Sequence, residues 1–150
     1  MRSVVQPSTV EALPDLLPLL RGYSSFYGVH PDDDALLGMA RAFCEGTGGG
    51  SQLVARAESG ELVGFATVLW SWDTATGSPL AVMEDLFVLE GTRGRGVGRM
   101  LLDACAELAR DHGCEDLAWE TAPDNARAQR LYDATGAERS TWLAYRLPLA

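Results

Sequence analysis

The sequence predicts a mixed α/β fold of the α+β type within a single domain, residues 1–150. Strand-like and helix-like patterns follow one another in the order β-α-α-β-β-β-α-β-α-β. Hydrophobic residues make up 47% of the 150-residue chain and charged residues 22%, which suits one hydrophobic core. Two loop-like stretches, residues 46–50 and 73–79, are too short to link separate domains.

The first half of the chain opens with a short strand, predicted over residues 3–5. A helix follows over residues 10–23, because leucines recur there at helical spacing. These leucines are Leu13, Leu16, Leu17 and Leu20. A second helix is predicted over residues 32–45. Apolar runs at residues 53–57 and 62–70 are joined by Glu-Ser-Gly-Glu, which predicts a β-hairpin.

The clearest helix of the chain is predicted over residues 97–112. It has one apolar face, and Gly113 suits the position just beyond the end of a helix. The apolar face comprises Val97, Met100, Leu101, Ala104, Cys105 and Leu108. The other predicted elements of this half are strands over residues 81–88, 117–121 and 141–147 and a helix over residues 125–134.

Charge and composition exclude several classes of function. A formal net charge of −9 argues against a nucleic-acid partner, which needs a basic surface. No apolar run approaches the ~20 residues of a membrane-spanning helix, so we expect no membrane partner and a cytoplasmic protein. The three cysteines are scattered and the two histidines are far apart, so neither a disulfide framework nor a metal site is expected.

A glycine- and arginine-rich turn stands out at residues 93–98, Arg-Gly-Arg-Gly-Val-Gly, just before the clearest helix. A helix start offers unpaired backbone N–H groups and a partial positive charge, and glycines let an anion approach them closely. A diphosphate is the natural ligand of such a turn. The dinucleotide pattern G-x-G-x-x-G fails, because Arg99 and Leu101 stand where its third glycine would be, and the P-loop pattern also fails.

Arg93, Gly96 and Gly98 form the pattern R-x-x-G-x-G, which resembles the phosphate-binding turn of the GNAT superfamily of N-acetyltransferases. A second likeness lies downstream, where Asn125 precedes a helix carrying Leu-Tyr and a glycine follows at Gly136. The resemblance implies the GNAT acyl-CoA N-acyltransferase fold, a twisted and mostly antiparallel sheet with helices on both faces. It also implies acetyl-CoA as the cofactor.

The same resemblance implies individual roles. Tyr132 would be the general acid that protonates the leaving thiolate, and backbone N–H groups of residues 86–88 would hold the pantetheine arm and the thioester carbonyl. The structural alternatives are a core aromatic at Tyr132 and a helix cap at Asn125. The expected cofactor-binding residues are Leu86, Phe87, Val88, Arg93, Gly94, Arg95, Gly96, Val97, Gly98, Arg99, Asn125 and Ala128.

Two adjacent carboxylates, Glu84 and Asp85, interrupt the apolar strand predicted before the turn. Buried carboxylates are costly unless they have a partner or a task. Neighbouring strand residues face opposite ways, so we expect only one of the two to face the substrate cleft. The segment resembles the Glu-Asp strand of polyamine acetyltransferases, which implies that Glu84 helps deprotonate the amine. A purely structural carboxylate pair is the alternative.

The predicted acceptor is a small cationic amine, polyamine-like or related. Aromatic and acidic residues suit such a ligand through cation–π contact and charge pairing. The expected substrate-binding residues are Tyr27, Trp70, Trp72, Glu84 and Asp85. A protein or peptide N-acetyltransferase and a non-enzymatic acyl-CoA sensor are the rival functions. Relatives of this branch often form homodimers, so a homodimer is expected as well.

Overall fold

The computed structural model describes residues 2–150, which divide into two units. The first unit runs to Glu120 and holds all five strands and three helices, and the second is Thr121–Ala150. The prediction that residues 1–150 form a single domain therefore stays a prediction.

The sheet of the first unit is mostly antiparallel, as predicted. Its strands are β1 (Ser3–Pro7), β2 (Gly50–Ala57), β3 (Leu62–Asp73), β4 (Ser78–Val88) and β5 (Asp116–Ala118). They are ordered β1-β2-β3-β4-β5. Each of the first four strands runs antiparallel to its neighbour, and β5 runs parallel to β4. The predicted hairpin lies between β2 and β3, where Gly60 takes a positive φ of 93°.

Two helices cover one face of the sheet. A short 3-10 turn at Val10–Ala12 leads into α1 (Leu13–Phe26), and α2 (Asp33–Cys44) follows. Leucines at positions i, i+3 and i+4 of α1 place its apolar stripe against the sheet. The buried cluster on this face comprises Leu13, Leu16, Leu19, Leu20, Leu36, Ala40, Val54, Leu62 and Phe65.

Helix α3 (Val97–Asp111) packs against β2, β3 and β4, with the bounds predicted to within one residue. Gly64 of β3 lies on this side of the sheet, where a Cβ atom would meet the Leu101 side chain at 3.1 Å. The buried residues of α3 are Val97, Leu101, Leu102, Cys105 and Ala109. Met100, which the sequence placed on the apolar face, is 37% exposed, because the buried stripe is centred on Leu101 and Cys105.

The second unit contains α4 (Ala126–Asp133), close to the predicted helix. The prediction of a strand over residues 141–147 is wrong. All of these residues are described, and none of them is assigned to a strand. A strand exists through hydrogen bonds to a neighbouring strand. Helix α4 is the sole regular element described in residues 121–150, so that unit offers this segment no strand to pair with.

Candidate active site

A β-bulge in β4 brings two consecutive carboxylates to one face of the sheet. Thr67 of β3 is opposite Asp85, but the next residue, Val68, is opposite Met83, so Glu84 is an extra residue with no partner in the register. Opposite residues share a face and neighbours alternate, so Asp85 lies on the Thr67 face and Glu84 lies on the face away from Met83. These are the same face. The prediction that only one carboxylate faces the cleft is therefore wrong.

A cavity of about 270 Å³ lies on that face, between the two helices and the sheet. Glu84 and Asp85 both line it, and Thr67 lines it from β3. Glu84 is exposed and Asp85 is half-buried. A concave, mainly apolar cavity with a few convergent polar groups has the character of a small-molecule site.

Tyr23 of α1 provides the polar group beside the carboxylates. It interacts with Asp85 through side-chain hydrogen bonding and charge. Burial, the largest effect, and the Asp85 carboxylate both raise the pKa of the Tyr23 hydroxyl, so this hydroxyl stays protonated at neutral pH. The Tyr23 ring packs edge-on against Phe65, at 5.8 Å between centroids, and against Phe87, at 6.3 Å. Tyr23 and Asp85 therefore interact at the wall of the same cavity.

The glycine-arginine turn adopts the geometry needed for an anion. Gly94 and Gly96 have φ angles of 81° and 82°, in the left-handed region that favours glycine. Gly96 is the N-cap of α3, so no side chain occupies the first N–H groups of the helix. The first turn of α3, all of whose residues are described, contains no acidic residue. These features fit the diphosphate of CoA.

The arginines of the turn differ in what they contact. The Arg93 Nε donates to the carbonyl oxygen of Val88 at 2.9 Å, which ties the turn to the end of β4. Arg99 pairs with Asp103 one helical turn along α3, at 3.0 Å. Arg95 is exposed and forms no ion pair with any described residue, so its guanidinium is available to a ligand.

The end of β4 that leads into the turn has one unpaired side. Within residues 2–150, the pairing of β4 with β5 ends at Val82 opposite Ala118. Leu86 to Val88 still pair with β3 on the other side. The Phe87 ring packs against Tyr23 and Phe65 on the α1 face, so the backbone of Phe87 is the part expected to bind a cofactor. The N–H and C=O groups beyond Val82 are positioned to bind an extended ligand.

Asn125 and Tyr132 both lie in the second unit. The Asn125 side chain caps α4, where its Oδ1 accepts from the backbone N–H of Ala128 at 3.2 Å. This cap uses the oxygen and leaves the amide NH₂ as a donor, so capping does not prevent a role with cofactor. Tyr132 is half-buried near the end of α4, and its carbonyl oxygen accepts from Thr135.

All three aromatic residues predicted to bind substrate lie outside the described lining of the cavity. The Trp70 ring stacks on His112 at the end of α3, with centroids 3.7 Å apart and 6° between planes. Trp72 is 62% exposed. Tyr27 is largely exposed and packs edge-on against Tyr23 at 5.1 Å. Tyr27 is thus connected to the cavity through Tyr23, whereas Trp70 is held by the opposite helix.

The cluster of Tyr23, Phe26 and Tyr27 at the end of the first predicted helix favours an acceptor pocket, and of these three only Tyr23 is among the described lining residues. Three lining residues of α2 are not predicted from the sequence: Leu36, Met39 and Phe43. Tyr23 also continues the stripe of Leu16 and Leu20 at helical spacing, so it faces the sheet. The α2 residues carry no such signal, since an apolar helix face looks the same whether it covers a core or a cavity.

A bare helix start after a glycine-arginine turn and a cavity lined by two carboxylates fit an acyl-CoA-dependent transferase. Residues 13–137 match the Acetyltransferase (GNAT) family, and the chain belongs to it. It is an acetyl-CoA-dependent N-acetyltransferase with the GNAT fold. No helix among residues 2–150 is long and apolar enough to cross a membrane.

Two enzymes show what the chain is similar to. The chain is 35% identical over 127 residues to aminoglycoside N(6')-acetyltransferase type 1 of Stenotrophomonas maltophilia. The aligned region covers 81% of this chain and 82% of that protein. The chain is also 34% identical over 89 residues to the thialysine N-epsilon-acetyltransferase of Bos taurus. That aligned region covers 57% of this chain and 52% of that protein. The chain thus spans about half of the second relative.

A solved structure of an aminoglycoside N-acetyltransferase in complex with CoA is similar over nearly its whole length. The TM-score is 0.84, and the match covers 99% of this chain and 96% of that one. At 24% identity, this likeness shows the shared fold alone.

Proposed function

We propose that the protein acetylates the primary amine of a small cationic molecule that binds in the cavity beside Glu84 and Asp85. The observation that carries this proposal is the bulge that turns both carboxylates to one concave face. One carboxylate can pair with an ammonium group while the other accepts a proton. Polyamine-like amines belong to this class of acceptor, and the named relatives also act on amine-bearing small molecules.

Glu84 is the proposed general base. It is exposed, so it can take the proton from the acceptor nitrogen directly or through one water molecule and pass it to solvent. Asp85 is held against Tyr23 and carries the complementary charge that binds and orients the ammonium form. This division follows from exposure, because a base that must release a proton in each cycle benefits from access to water.

For the cofactor we propose the binding residues that the sequence predicts. Bound acetyl-CoA supplies the acetyl group as an activated thioester. The N–H groups at the start of α3, with Arg95, would hold its diphosphate, and the backbone of residues 86–88 would bind its pantetheine arm and polarise the carbonyl. Tyr132 would donate a proton to the leaving sulfur, and Asn125 would bind the arm through its free amide donor.

Release of free CoA from acetyl-CoA tests this function, measured with a thiol-reactive dye across a panel of amines. The panel contains spermidine, an aminoglycoside, an amino sugar, an amino acid and a lysine peptide. Release above hydrolysis with a small amine supports the proposal. Transfer to the peptide alone would favour a protein N-acetyltransferase. Tight binding of acetyl-CoA with no transfer to any amine would favour a sensor.

The homodimer is a separate proposal. Light scattering coupled to size-exclusion chromatography measures the mass in solution. A particle of twice the 16.1 kDa chain mass is expected. A particle of a single chain mass would contradict the proposal without affecting the chemistry above.

A further inference from the structure

The wall that α2 gives to the cavity is entirely apolar. It consists of Leu36, Met39 and Phe43, and no charged residue of α2 is among the residues described as lining the cavity. The acidic residue that opens α2, Asp33, instead binds Arg21 of α1 through two hydrogen bonds at the surface. A ligand group that reaches the α2 wall therefore meets hydrocarbon, sulfur and an aromatic ring.

Besides the carboxylates, the polar groups that line the cavity are the hydroxyls of Tyr23, Ser24 and Thr67, which belong to α1 and β3 and not to α2. Tyr23 interacts with Asp85. The Thr67 hydroxyl accepts a hydrogen bond from the buried Gln52 side chain, Nε2 to Oγ1, at 2.9 Å. Apart from the carboxylates, the lining that remains is mainly apolar, with Leu20, Phe65 and Leu69 added to the α2 wall.

From this lining we infer the acceptor class: a primary monoamine with an alkyl or arylalkyl body. Its amine lies against Glu84 and Asp85, and its body lies against the apolar α2 wall. This inference rests on the proposed function and narrows it. A second ammonium carried along the body of a diamine would be desolvated without an anionic partner. The hydroxyl groups of an aminoglycoside that face the α2 wall would likewise lose water without gaining hydrogen bonds there. The volume, about 270 Å³, also suits a small molecule.

The test compares hexylamine and phenethylamine with 1,6-diaminohexane, spermidine and kanamycin as acceptors for the wild-type protein. Hexylamine and 1,6-diaminohexane form a matched pair that differs by one amine at equal chain length. The expected kcat/KM for hexylamine exceeds that for the diamine by about tenfold or more, because the second charge lacks a partner. A higher kcat/KM for the diamine or for kanamycin overturns the inference, as does no transfer to either monoamine.

A charge placed on the α2 wall provides an independent test. Met39 is 41% exposed, so a polar side chain there remains compatible with folding. Met39→Glu supplies the missing anion and is expected to raise the diamine-to-monoamine ratio of kcat/KM by about tenfold. Met39→Gln, of the same shape without the charge, is the control and should leave that ratio near its wild-type value. An equal change in both variants would overturn the inference.

The experiments distinguish a failure of the acceptor class from a failure of the acetyltransferase function. Transfer to kanamycin or spermidine in preference to the monoamines contradicts the acceptor class and leaves the acetyltransferase function intact. If no amine in either panel is acetylated, the proposed function fails, and the acceptor class fails with it.

Discussion

Glu84 and Asp85 are consecutive residues of β4, and both line the same cavity. The extra residue of the bulge makes this possible, because it interrupts the alternation of side chains at that position. The bulge therefore converts an acidic dipeptide into a pair of convergent carboxylates. Each of these two residues can be tested separately.

Replacing Glu84 by glutamine removes the proposed base and keeps the shape of the side chain. We expect Glu84→Gln to lower kcat by about 10²-fold or more with little change in the Kd for acetyl-CoA. Steady-state kinetics and calorimetric titration measure the two quantities. Glu61→Gln, in the exposed β2–β3 turn, is the matched control and should have wild-type kinetics. A fully active Glu84→Gln enzyme would remove Glu84 from the mechanism.

Replacing Tyr132 by phenylalanine removes one hydroxyl and keeps the ring. If this hydroxyl protonates the leaving sulfur, kcat falls by about 10²-fold while the affinity for acetyl-CoA stays nearly the same. Tyr145→Phe is a control, since Tyr145 is 90% exposed. A Tyr132→Phe enzyme with wild-type kcat would show that another group supplies the proton.

Alanine at Gly96 tests the turn that precedes α3. Alanine is disfavoured at a φ of 82° by about 1–2 kcal/mol, so the turn must shift and acetyl-CoA should bind about tenfold more weakly. Gly91→Ala is the control, because Gly91 has no positive φ and open space where its Cβ would lie. Titration calorimetry gives both dissociation constants. Equal affinities for the two variants would argue against the turn as the phosphate site.

The pKa of Tyr23 predicts how stability depends on alkaline pH. Burial and Asp85 raise this pKa, so the folded protein keeps the Tyr23 proton at a pH where an unfolded tyrosine, with a pKa of about 10, loses it. The folded state then binds more protons, and the free energy of unfolding falls as pH rises above about 10. Urea denaturation from pH 8 to 11 should show a shallower fall for Tyr23→Phe and for Asp85→Asn. Identical slopes in all three proteins would contradict the assignment.

The Cys105 thiol should be unreactive towards alkylating reagents in the folded protein. Burial raises the pKa of the Cys105 thiol to about 12, and its side chain is fully buried in the α3 packing. A thiolate is the reactive form, so Cys105 should resist alkylation in the folded protein and react only after unfolding. Mass spectrometry after iodoacetamide treatment, with and without urea, measures this. Labelling of Cys105 without urea would show that α3 opens under native conditions.

Much of the fold could be predicted because its signals are local. The leucine stripe of α1, the Glu-Ser-Gly-Glu hairpin and the apolar face of α3 each depend on residues a few positions apart, and the structure has all three. The segment over residues 141–147 shows the limit of this reasoning. Apolar and aromatic residues favour a strand there, but a strand also requires a partner, and partners are set by the tertiary fold.

The candidate site also combines features that depend on neighbouring residues with features that depend on tertiary contacts. The sequence by itself determined the glycine-arginine turn, because a positive φ and a bare helix start are properties of neighbouring residues such as Gly94 and Gly96. Only the tertiary structure decided that Glu84 and Asp85 share a face, that Tyr23 lies against Asp85 and that α2 covers the cavity with apolar side chains. The physical reason is that strand register and helix docking depend on contacts between residues distant in the chain, which periodicity along one segment does not encode.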